Sequence, residues 1–412
     1  MNQVLRSHAD RIVREAVSAV LPDEAVRRAL GNIRFSGRVL LVAAGKAAWQ
    51  MAHAASACLG SRIENGVVVT KYGHVRGPIA NFTCFEAGHP VPDENSFRGT
   101  QAALDLVADL SERDTVLFLL SGGGSALFEK PLVSAEELQD ITAQLLSCGA
   151  DIVEINTVRK RLSAVKGGRF ARFCSPARVE AVVLSDILGD PLDMIASGPA
   201  APDTSTSEDA RRVAEKYSLE LSDDARKLLD AETPKVLENV HTQVTGSVRE
   251  LCAAAADACR RLGYEPFLLT DRLCCQAKEA GSFLASILKT HAGDGRPLAF
   301  IAGGETVVQV TGHGLGGRNQ ELALAAAPGI SGMENAAVFS FGSDGTDGPT
   351  DAAGGYSDGD TCRALAEAGL AVDAVLRENG AYPALKRVGG LIITGPTGTN
   401  VNDAAVALLW ND

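Results

Sequence analysis

Short apolar runs alternate along the chain with segments whose apolar positions recur every three or four residues. This alternation of strands and helices is typical of an α/β protein with a largely parallel sheet. The predicted strands are Val39–Ala43, Val67–Thr70, Thr115–Leu120, Ala181–Leu184, Phe267–Leu269, Ala299–Ala302, Val307–Val310, Ala337–Phe341 and Ile392–Thr394. Several of them run directly into a glycine-rich turn and then a helix, and in doubly wound sheets ligands collect at such carboxyl-end loops.

The chain is too long for one ordinary domain, since 412 residues favour two or three. A polar, turn-rich stretch covers residues 199–210, and a new helix–strand–helix pattern starts near Gly246. We therefore predict a boundary between residues 230 and 245, with an N-terminal domain over 1–237 and a C-terminal domain over 246–412.

The first twenty residues place Val4, Ile12, Val13, Val17 and Val20 at helical spacing among charged residues. This pattern predicts an amphipathic helix, since a signal peptide needs an uninterrupted apolar core. No apolar run elsewhere reaches the length that spans a membrane.

Charge and cysteine usage exclude several classes of protein. The net charge is −12 and the basic residues are mostly spread singly, which disfavours a nucleic-acid binder and an anionic membrane surface. The nine cysteines include no C-x-x-C pair, so a zinc site or a disulfide framework is not expected. Core thiols in a reducing cytoplasm fit this usage.

The segment 303–327, GGETVVQVTGHGLGGRNQELALAAA, joins a β-branched apolar run to a glycine-dense turn and a helix. Backbone N–H groups at a helix N-terminus provide a seat for an anion. Arg318 at the start of the helix adds a forked donor suited to phosphate or carboxylate. The motif predicts a small anionic, phosphorylated ligand.

Two further strand exits carry similar chemistry. Lys46 follows Gly45 at the end of a buried strand, where it can neutralise a phosphate; a solvated lysine is the alternative. Ser121-Gly122-Gly123-Gly124-Ser125 lets the backbone approach a ligand closely. It is not a nucleophile elbow, because that motif needs a glycine two residues after its serine and the chain has Leu127 there. We interpret it as a binding loop rather than a flexible connector.

The only concentrated basic stretch contains Asn156 and Arg159 on one helix face and, further on, Lys166 with Arg169. A solvated helix face and a ligand-binding face explain this stretch about equally well. Because the whole chain is acidic, we favour the second.

Two acidic loops follow strands. One contains Asp186, Asp190 and Asp193, and the other contains Asp344, Asp347 and Asp351. Clustered carboxylates at strand ends suit Mg²⁺ or proton abstraction, although turns, helix caps and surface loops also use them. A third exit, residues 394–400, is rich in glycine and threonine.

The spacing Gly312-x-Gly314-x-x-Gly317 also matches a dinucleotide-binding fingerprint. That fingerprint needs an acidic residue about twenty positions later, where the chain has Ala-Ala-Val. Hydride transfer is therefore disfavoured, and no P-loop or protein-kinase motif is present.

Taken together, these segments resemble the class II glycerate 2-kinases, whose C-terminal part is called MOFRL. The matching stretches include AAGKAAWQMA, AGHPVPDENS, LLSGGGSALFE, INTVRKRLSAVKGGR, LSDILGDPLDMIASGP, GGETVVQVTGHGLGGRNQELALA, GSDGTDGPTDAAGG and TGPTGTNVND. They follow one another in order over nearly the whole chain.

The resemblance implies a Rossmann-like N-terminal domain with a mostly parallel sheet, a smaller α/β C-terminal domain and an active-site cleft between them. It implies transfer of the γ-phosphoryl group of ATP to the 2-hydroxyl of D-glycerate with Mg²⁺. The lysine and the arginine that this family is proposed to use in catalysis are Lys46 and Arg318 here. A cytoplasmic enzyme without nucleic-acid or membrane partners is expected, and a homodimer stays open.

We hypothesise that Mg²⁺ lies among Asp186, Asp190 and Asp344 or Asp347. The candidate residues for binding substrate and nucleotide are Gly45, Ser121, Gly122, Gly123, Gly124, Ser125, Asn156, Arg159, Lys166, Gly316, Gly317, Asn319, Glu321 and Thr397. The alternatives are a hydroxypyruvate reductase that uses NAD(P)H and a non-catalytic sensor of sugar acids or nucleotides.

Overall fold

The computed structural model describes residues 1–410, which form two compact units. The central unit contains Ala25–Leu184 and Asp190–Thr245, and the C-terminal unit contains Met1–Glu24, Ser185–Gly189 and the chain from Gly246 onward. This division differs from the predicted domains 1–237 and 246–412, because residues 1–24 and 185–189 belong to the C-terminal unit.

The helices of the two units are mostly short, and several of them begin at a side-chain cap. In chain order they are α1 (Gln3–Ala19), α2 (Pro22–Leu30), α3 (Ala48–Leu59), α4 (Glu94–Leu106), α5 (Gly124–Leu127), α6 (Ala135–Ser147), α7 (Ile152–Arg161), α8 (Arg169–Phe173), α9 (Ser207–Lys216), α10 (Asp223–Asp230), α11 (Val248–Arg261), α12 (Ala277–His291), α13 (Arg318–Ile330), α14 (Thr361–Glu367), α15 (Val372–Arg377) and α16 (Ala381–Arg387). None of those in the described part of the chain is both long enough and apolar enough to cross a membrane.

The central unit is built on a six-stranded sheet. Its strands are β1 (Val39–Ala44), β2 (Ile63–Lys71), β3 (Phe82–Ala87), β4 (Thr115–Leu120), β5 (Arg178–Leu184) and β6 (Val240–Gly246). They lie in the order β3-β2-β1-β4-β5-β6, and the pairs from β3 to β5 are parallel. The carboxyl ends of β1, β2, β3 and β4 therefore meet at one edge of the sheet.

The four strands predicted for this unit are confirmed, whereas β3 and β6 escaped prediction. Both are edge strands in which most residues are only partly buried. Their sequences therefore lack the continuous apolar run that marks β1 and β4.

The C-terminal unit contains a mixed six-stranded sheet. Its strands are β7 (Glu265–Leu273), β8 (Leu298–Gly304), β9 (Ala336–Gly342), β10 (Gly354–Asp358), β11 (Leu391–Ile392) and β12 (Asp403–Leu409), in the order β11-β10-β9-β12-β8-β7. β12 is antiparallel to both β8 and β9. The predicted α/β class is confirmed for both units.

The predicted strand Val307–Val310 is wrong. This segment makes a single bridge, between Val307 and Gln276, and the two valines at its ends are 53% and 78% exposed. Its β-branched residues favour an extended chain, but no neighbouring strand completes a ladder there.

Helix α1 is amphipathic as predicted, although Val4 is exposed rather than on the apolar face. Asn2 caps it by accepting from the N–H groups of Val4 and Leu5. The buried face, with Leu5 and Ile12, packs into the same core as α11 and the central strands of the C-terminal sheet. The core of this unit therefore depends on residues from the opposite end of the chain.

Replacing Ile12 with Ala should lower the free energy of unfolding by about 2–5 kcal/mol, because Ile12 is fully buried and its removal leaves a cavity. Val4→Ala on the exposed side of the same helix is the control and should cost less than about 0.5 kcal/mol. Denaturant unfolding of both variants measures the difference. Equal stabilities would show that α1 is not part of the core.

Candidate active site

The exits of β1 and β4 in the central unit interlock. The N–H of Lys46 donates to the carbonyl of Gly122 at 2.9 Å, and the N–H of Ala47 donates to Ser121 Oγ at 3.0 Å. Gly45 has a φ of +121°, and a Cβ there would lie 2.3 Å from Ser121 Oγ. The structure therefore brings the predicted loops at Lys46 and at Ser121–Ser125 together, and Gly45 permits their close approach.

Gly123 lies beneath two basic side chains. A Cβ on it would lie 3.0 Å from Cδ2 of His89 and 3.2 Å from Cγ of Lys46. Sequence reasoning assigned no role to His89, which follows the unpredicted edge strand β3. The AGHPVPDENS stretch that contains it was the available signal.

The remainder of the glycine loop contacts the segment around Ser197. Ser125 Oγ lies 3.1 Å from Ser197 Oγ, which in turn donates to Asn156 Oδ1 at 2.7 Å. Ala196 and Ser197 both have left-handed backbones, with φ of +51° and +62°. A Cβ on Gly124 would lie 2.6 Å from that of Ala196. Strain of this kind persists where the surroundings enforce it, often at functional sites.

The basic stretch is buried, so it is not a solvated helix face. Lys166 Nζ donates to the carbonyl of Ser125 at 2.8 Å, and Arg159 Nη2 donates to the same oxygen at 3.2 Å. Both cations pair with the fully buried Glu129, at 3.1 Å and 3.5 Å. Burial lowers the pKa of Lys166 to about 8, and Glu129 opposes that shift.

Asn156, Arg159 and Lys166 are predicted to bind ligand, and in the structure their polar groups contact other protein atoms. Each holds Ser125 or its neighbour Ser197 through groups that are already hydrogen-bonded. Through these contacts they fix the end of the glycine loop at Ser125.

In the C-terminal unit, Arg318 begins α13 and is held by two carboxylates. Its Nε and Nη2 donate to the two oxygens of Asp403 at 2.5 Å and 3.1 Å, and Nη1 donates to Glu305 at 2.8 Å. Burial opposes the charge on Arg318, but the two carboxylates still raise its pKa above the ordinary value. The guanidinium is therefore always charged and fixed in orientation.

Sequence reasoning missed both of these carboxylates. Asp403 is the first residue of β12 and lies between Gly304 of β8 and Gly342 of β9, while Glu305 directly follows β8. A partly buried arginine needs such partners, but only the antiparallel pairing of β12 shows that Asp403 is one of them.

The glycines before Arg318 serve backbone packing. A Cβ on Gly312 would lie 2.4 Å from Cα of Glu378, and one on Gly314 would lie 2.4 Å from the Glu378 carbonyl oxygen. The N–H of Gly314 donates to that same oxygen at 2.7 Å. The glycine spacing thus reflects a loop pressed against Glu378–Gly380 rather than a pyrophosphate site, in line with the disfavoured fingerprint.

The predicted anion seat at the start of α13 is filled by the protein's own Asp347. Its two oxygens accept from the N–H groups of Asn319 at 3.1 Å and Gln320 at 2.9 Å. A Cβ on Gly317 would lie 2.3 Å from its Cγ. Asp347 therefore caps the helix, and its predicted role as a metal ligand does not fit these bonds. Asn319 is likewise buried and holds the same carboxylate.

Other predicted residues have mixed surroundings. Asp344 accepts at Oδ1 from the Thr346 N–H and at its carbonyl from the Thr397 N–H, so Thr397 supports this strand exit. Asp190 has a left-handed backbone, and its buried Oδ1 has no hydrogen-bond partner. Within residues 1–410, no group of three or more His, Cys, Asp or Glu is placed to hold a metal ion.

A cavity of about 710 Å³ in the C-terminal unit is lined by Gly316, Gly317, Arg318 and Glu321 from the motif. Burial raises the pKa of Glu321, which accepts a hydrogen bond from Asn379. The apolar part of the lining comprises Leu188, Val307, Val308, Val310 and Pro349. An apolar wall with a few fixed polar groups suits an organic ligand.

Burial raises the pKa of Asp347 from 3.8 to about 6, although two backbone N–H groups favour its charged form. The folded protein therefore binds this proton more readily than the unfolded chain, so acidification through pH 6 towards pH 4 stabilises the native state at this site. On going from pH 7 to pH 4, the free energy of unfolding of the wild type should rise by about 2 kcal/mol relative to that of Asp347→Asn. Denaturant unfolding at both pH values tests this, and a constant difference would contradict it.

Comparison with known proteins assigns the chain to a family. The family model described as a domain of unknown function, DUF4147, matches residues 8–230, and the MOFRL family model matches residues 298–403. A D-glycerate 2-kinase of Thermotoga maritima is 54% identical over 98% of both chains. A glycerate 2-kinase of Pyrococcus horikoshii is 42% identical over 97% of this chain and 96% of its own.

A third relative, from Agrobacterium vitis, is named a putative hydroxypyruvate reductase and is 38% identical over 99% of this chain and 94% of its own. The crystal structure of a glycerate kinase from Thermotoga maritima superposes with a TM-score of 0.95 at 54% identity, covering 99% of this chain and 100% of that one. The chain thus combines a DUF4147 segment with a MOFRL segment and belongs to the class II glycerate 2-kinase family.

Proposed function

We propose that the protein transfers the γ-phosphoryl group of ATP to the 2-hydroxyl of D-glycerate, giving 2-phosphoglycerate and ADP. The observation that carries this is the 54% identity to a D-glycerate 2-kinase over nearly the whole of both chains. Cytoplasmic location and a homodimer stay predictions from the sequence.

Phosphoryl transfer demands positioning and charge neutralisation more than covalent chemistry by the protein. We propose that Lys46 and Arg318 act on the oxygens of the phosphoryl group. Support for Arg318 comes from its fork, since Asp403 and Glu305 fix the guanidinium before any ligand arrives. Support for Lys46 comes from its place at the interlocked strand exits.

The 710 Å³ cavity beside Arg318 is our candidate for the nucleoside part of ATP. Its valines and Pro349 can pack against a base, and Glu321 can accept from a hydroxyl or an amino group. The nucleoside cavity and Arg318, which is proposed to contact the phosphoryl group, would then be neighbours within the C-terminal unit.

Mg²⁺ belongs to the proposal as the counter-ion of ATP, where it would neutralise negative charge on the phosphates. Asp186, Asp190 and Asp344 remain candidate ligands, because Mg²⁺ often takes only one or two protein carboxylates. The unpartnered oxygen of Asp190 favours that residue. Asp347 leaves the set because both of its oxygens cap α13.

The reductase alternative draws on the name of the Agrobacterium vitis relative. The packing of Gly312 and Gly314 against Glu378 weighs against a nicotinamide nucleotide at that turn. Incubation of the protein with D-glycerate and either Mg-ATP or NAD(P)⁺ separates the two functions. ADP release without a change at the nicotinamide absorbance supports the kinase, and the opposite result rejects it. Absence of both signals would favour a non-catalytic sensor.

Replacing Arg318 with Ala should reduce kcat by about 10³-fold or more, since a transition-state arginine typically contributes that much. Arg318→Lys keeps a positive charge beside Asp403 but loses the forked guanidinium. Its kcat should also fall by at least about tenfold. Arg363→Ala, an exposed arginine of the same unit, is the control.

Circular dichroism and thermal melts should accompany the kinetics, because removal of Arg318 leaves Asp403 buried without its counter-charge. A folded Arg318→Ala protein with near-normal turnover would refute the assignment.

A further inference from the structure

Four basic side chains gather at one edge of the central sheet. Lys46 follows β1, Lys71 ends β2, His74 lies three residues later, and His89 follows β3. These strands are neighbours in the order β3-β2-β1 and run parallel, so their carboxyl ends lie side by side. All four residues are partly buried and none is fully enclosed.

The four groups are close enough to influence one another. Burial lowers the pKa of His89, and the positive charges of Lys46 and Lys71, with a contribution from His74, lower it further. His74 Nδ1 lies 2.8 Å from the carbonyl oxygen of Lys46 and must donate to it, because a carbonyl only accepts. His74 thereby ties the exit of β2 to that of β1.

The carboxylates of the adjacent segments are used elsewhere. Asp93 accepts from the Ser96 N–H and the Tyr72 hydroxyl, and Glu86 accepts from the Val75 N–H. Among residues 1–410, neither Lys46 nor Lys71 forms an ion pair with a carboxylate, in contrast to the buried Lys166. Lysines that have no carboxylate in direct contact can attract an external anion.

The basic cluster is defined as Lys46, Lys71, His74 and His89, and two of its members, Lys46 and His89, lie against Gly123 of the glycine loop. The Cβ position of Gly123 is within 3.2 Å of both the His89 ring and the Lys46 side chain. A side chain at position 123 would therefore occupy the space beside Lys46 and His89. Glycine leaves this space free, so that a small ligand can reach the backbone.

We propose that Lys71 and His89 bind the carboxylate of the acceptor acid beside Lys46, so that these two residues determine specificity for a small 2-hydroxy acid. This rests on the proposed kinase function. The carboxylate is favoured over a nucleotide because the cluster offers two lysines and two histidines, which match a small anion. The cavity in the C-terminal unit has the apolar lining that suits a base.

The test is steady-state kinetics of Lys71→Met and His89→Asn with each substrate varied in turn. The KM for D-glycerate should rise about 10- to 100-fold, the value of a lost charge-assisted hydrogen bond, while the KM for ATP stays within about twofold. Arg76→Ala, an exposed basic residue near the cluster, is the matched control and should change neither constant.

A second probe is the carboxamide of D-glycerate, which keeps the hydroxyls and loses the charge. The wild type should prefer the acid over the amide, and both variants should lose most of that preference. An increase in the KM for ATP alone, or an unchanged preference for the acid, would overturn the proposal. Failure of the wild type to release ADP would instead refute the kinase function, and calorimetric titration of D-glycerate without ATP would still report on the cluster.

Discussion

A charge removed from water needs a counter-charge. This constraint divides the basic residues near the glycine loop into two groups. Lys166 and Arg159 are compensated by Glu129 and donate to the carbonyl of Ser125. Lys46 and Lys71 have no such partner within the described chain and stay available to a ligand. The first group fixes the end of the glycine loop, and Lys46 of the second group lies against Gly123 of the same loop.

Arg318 combines both situations. Its two carboxylate partners restrict its movement, yet they hold the planar fork at the start of α13 and keep it charged. The same constraint applies to Asp347, which fills a helix terminus that would otherwise attract an anion. The N-terminus of α13 is thus capped, because the N–H groups of Asn319 and Gln320 already donate to Asp347.

Much of the organisation could be predicted from residue patterns. Continuous apolar runs marked β1, β4 and the central strands, because a strand buried on both faces must be apolar throughout. The same logic failed for Val307–Val310, whose pattern suits a strand but whose neighbours supply no ladder. It also missed β3, and with it His89, because an edge strand carries mixed residues.

The sequence by itself determined which residues follow the strand ends and which loops carry glycine, because propensity and periodicity are local properties. Only the tertiary structure decided how they are used. Asp347 became a helix cap, the glycines of 312–317 became packing positions, and Asp403 became the partner of Arg318 through pairing with strands about 60 and 100 residues earlier. Pairing of charges and close approach of backbones depend on distant segments, and no local pattern encodes them.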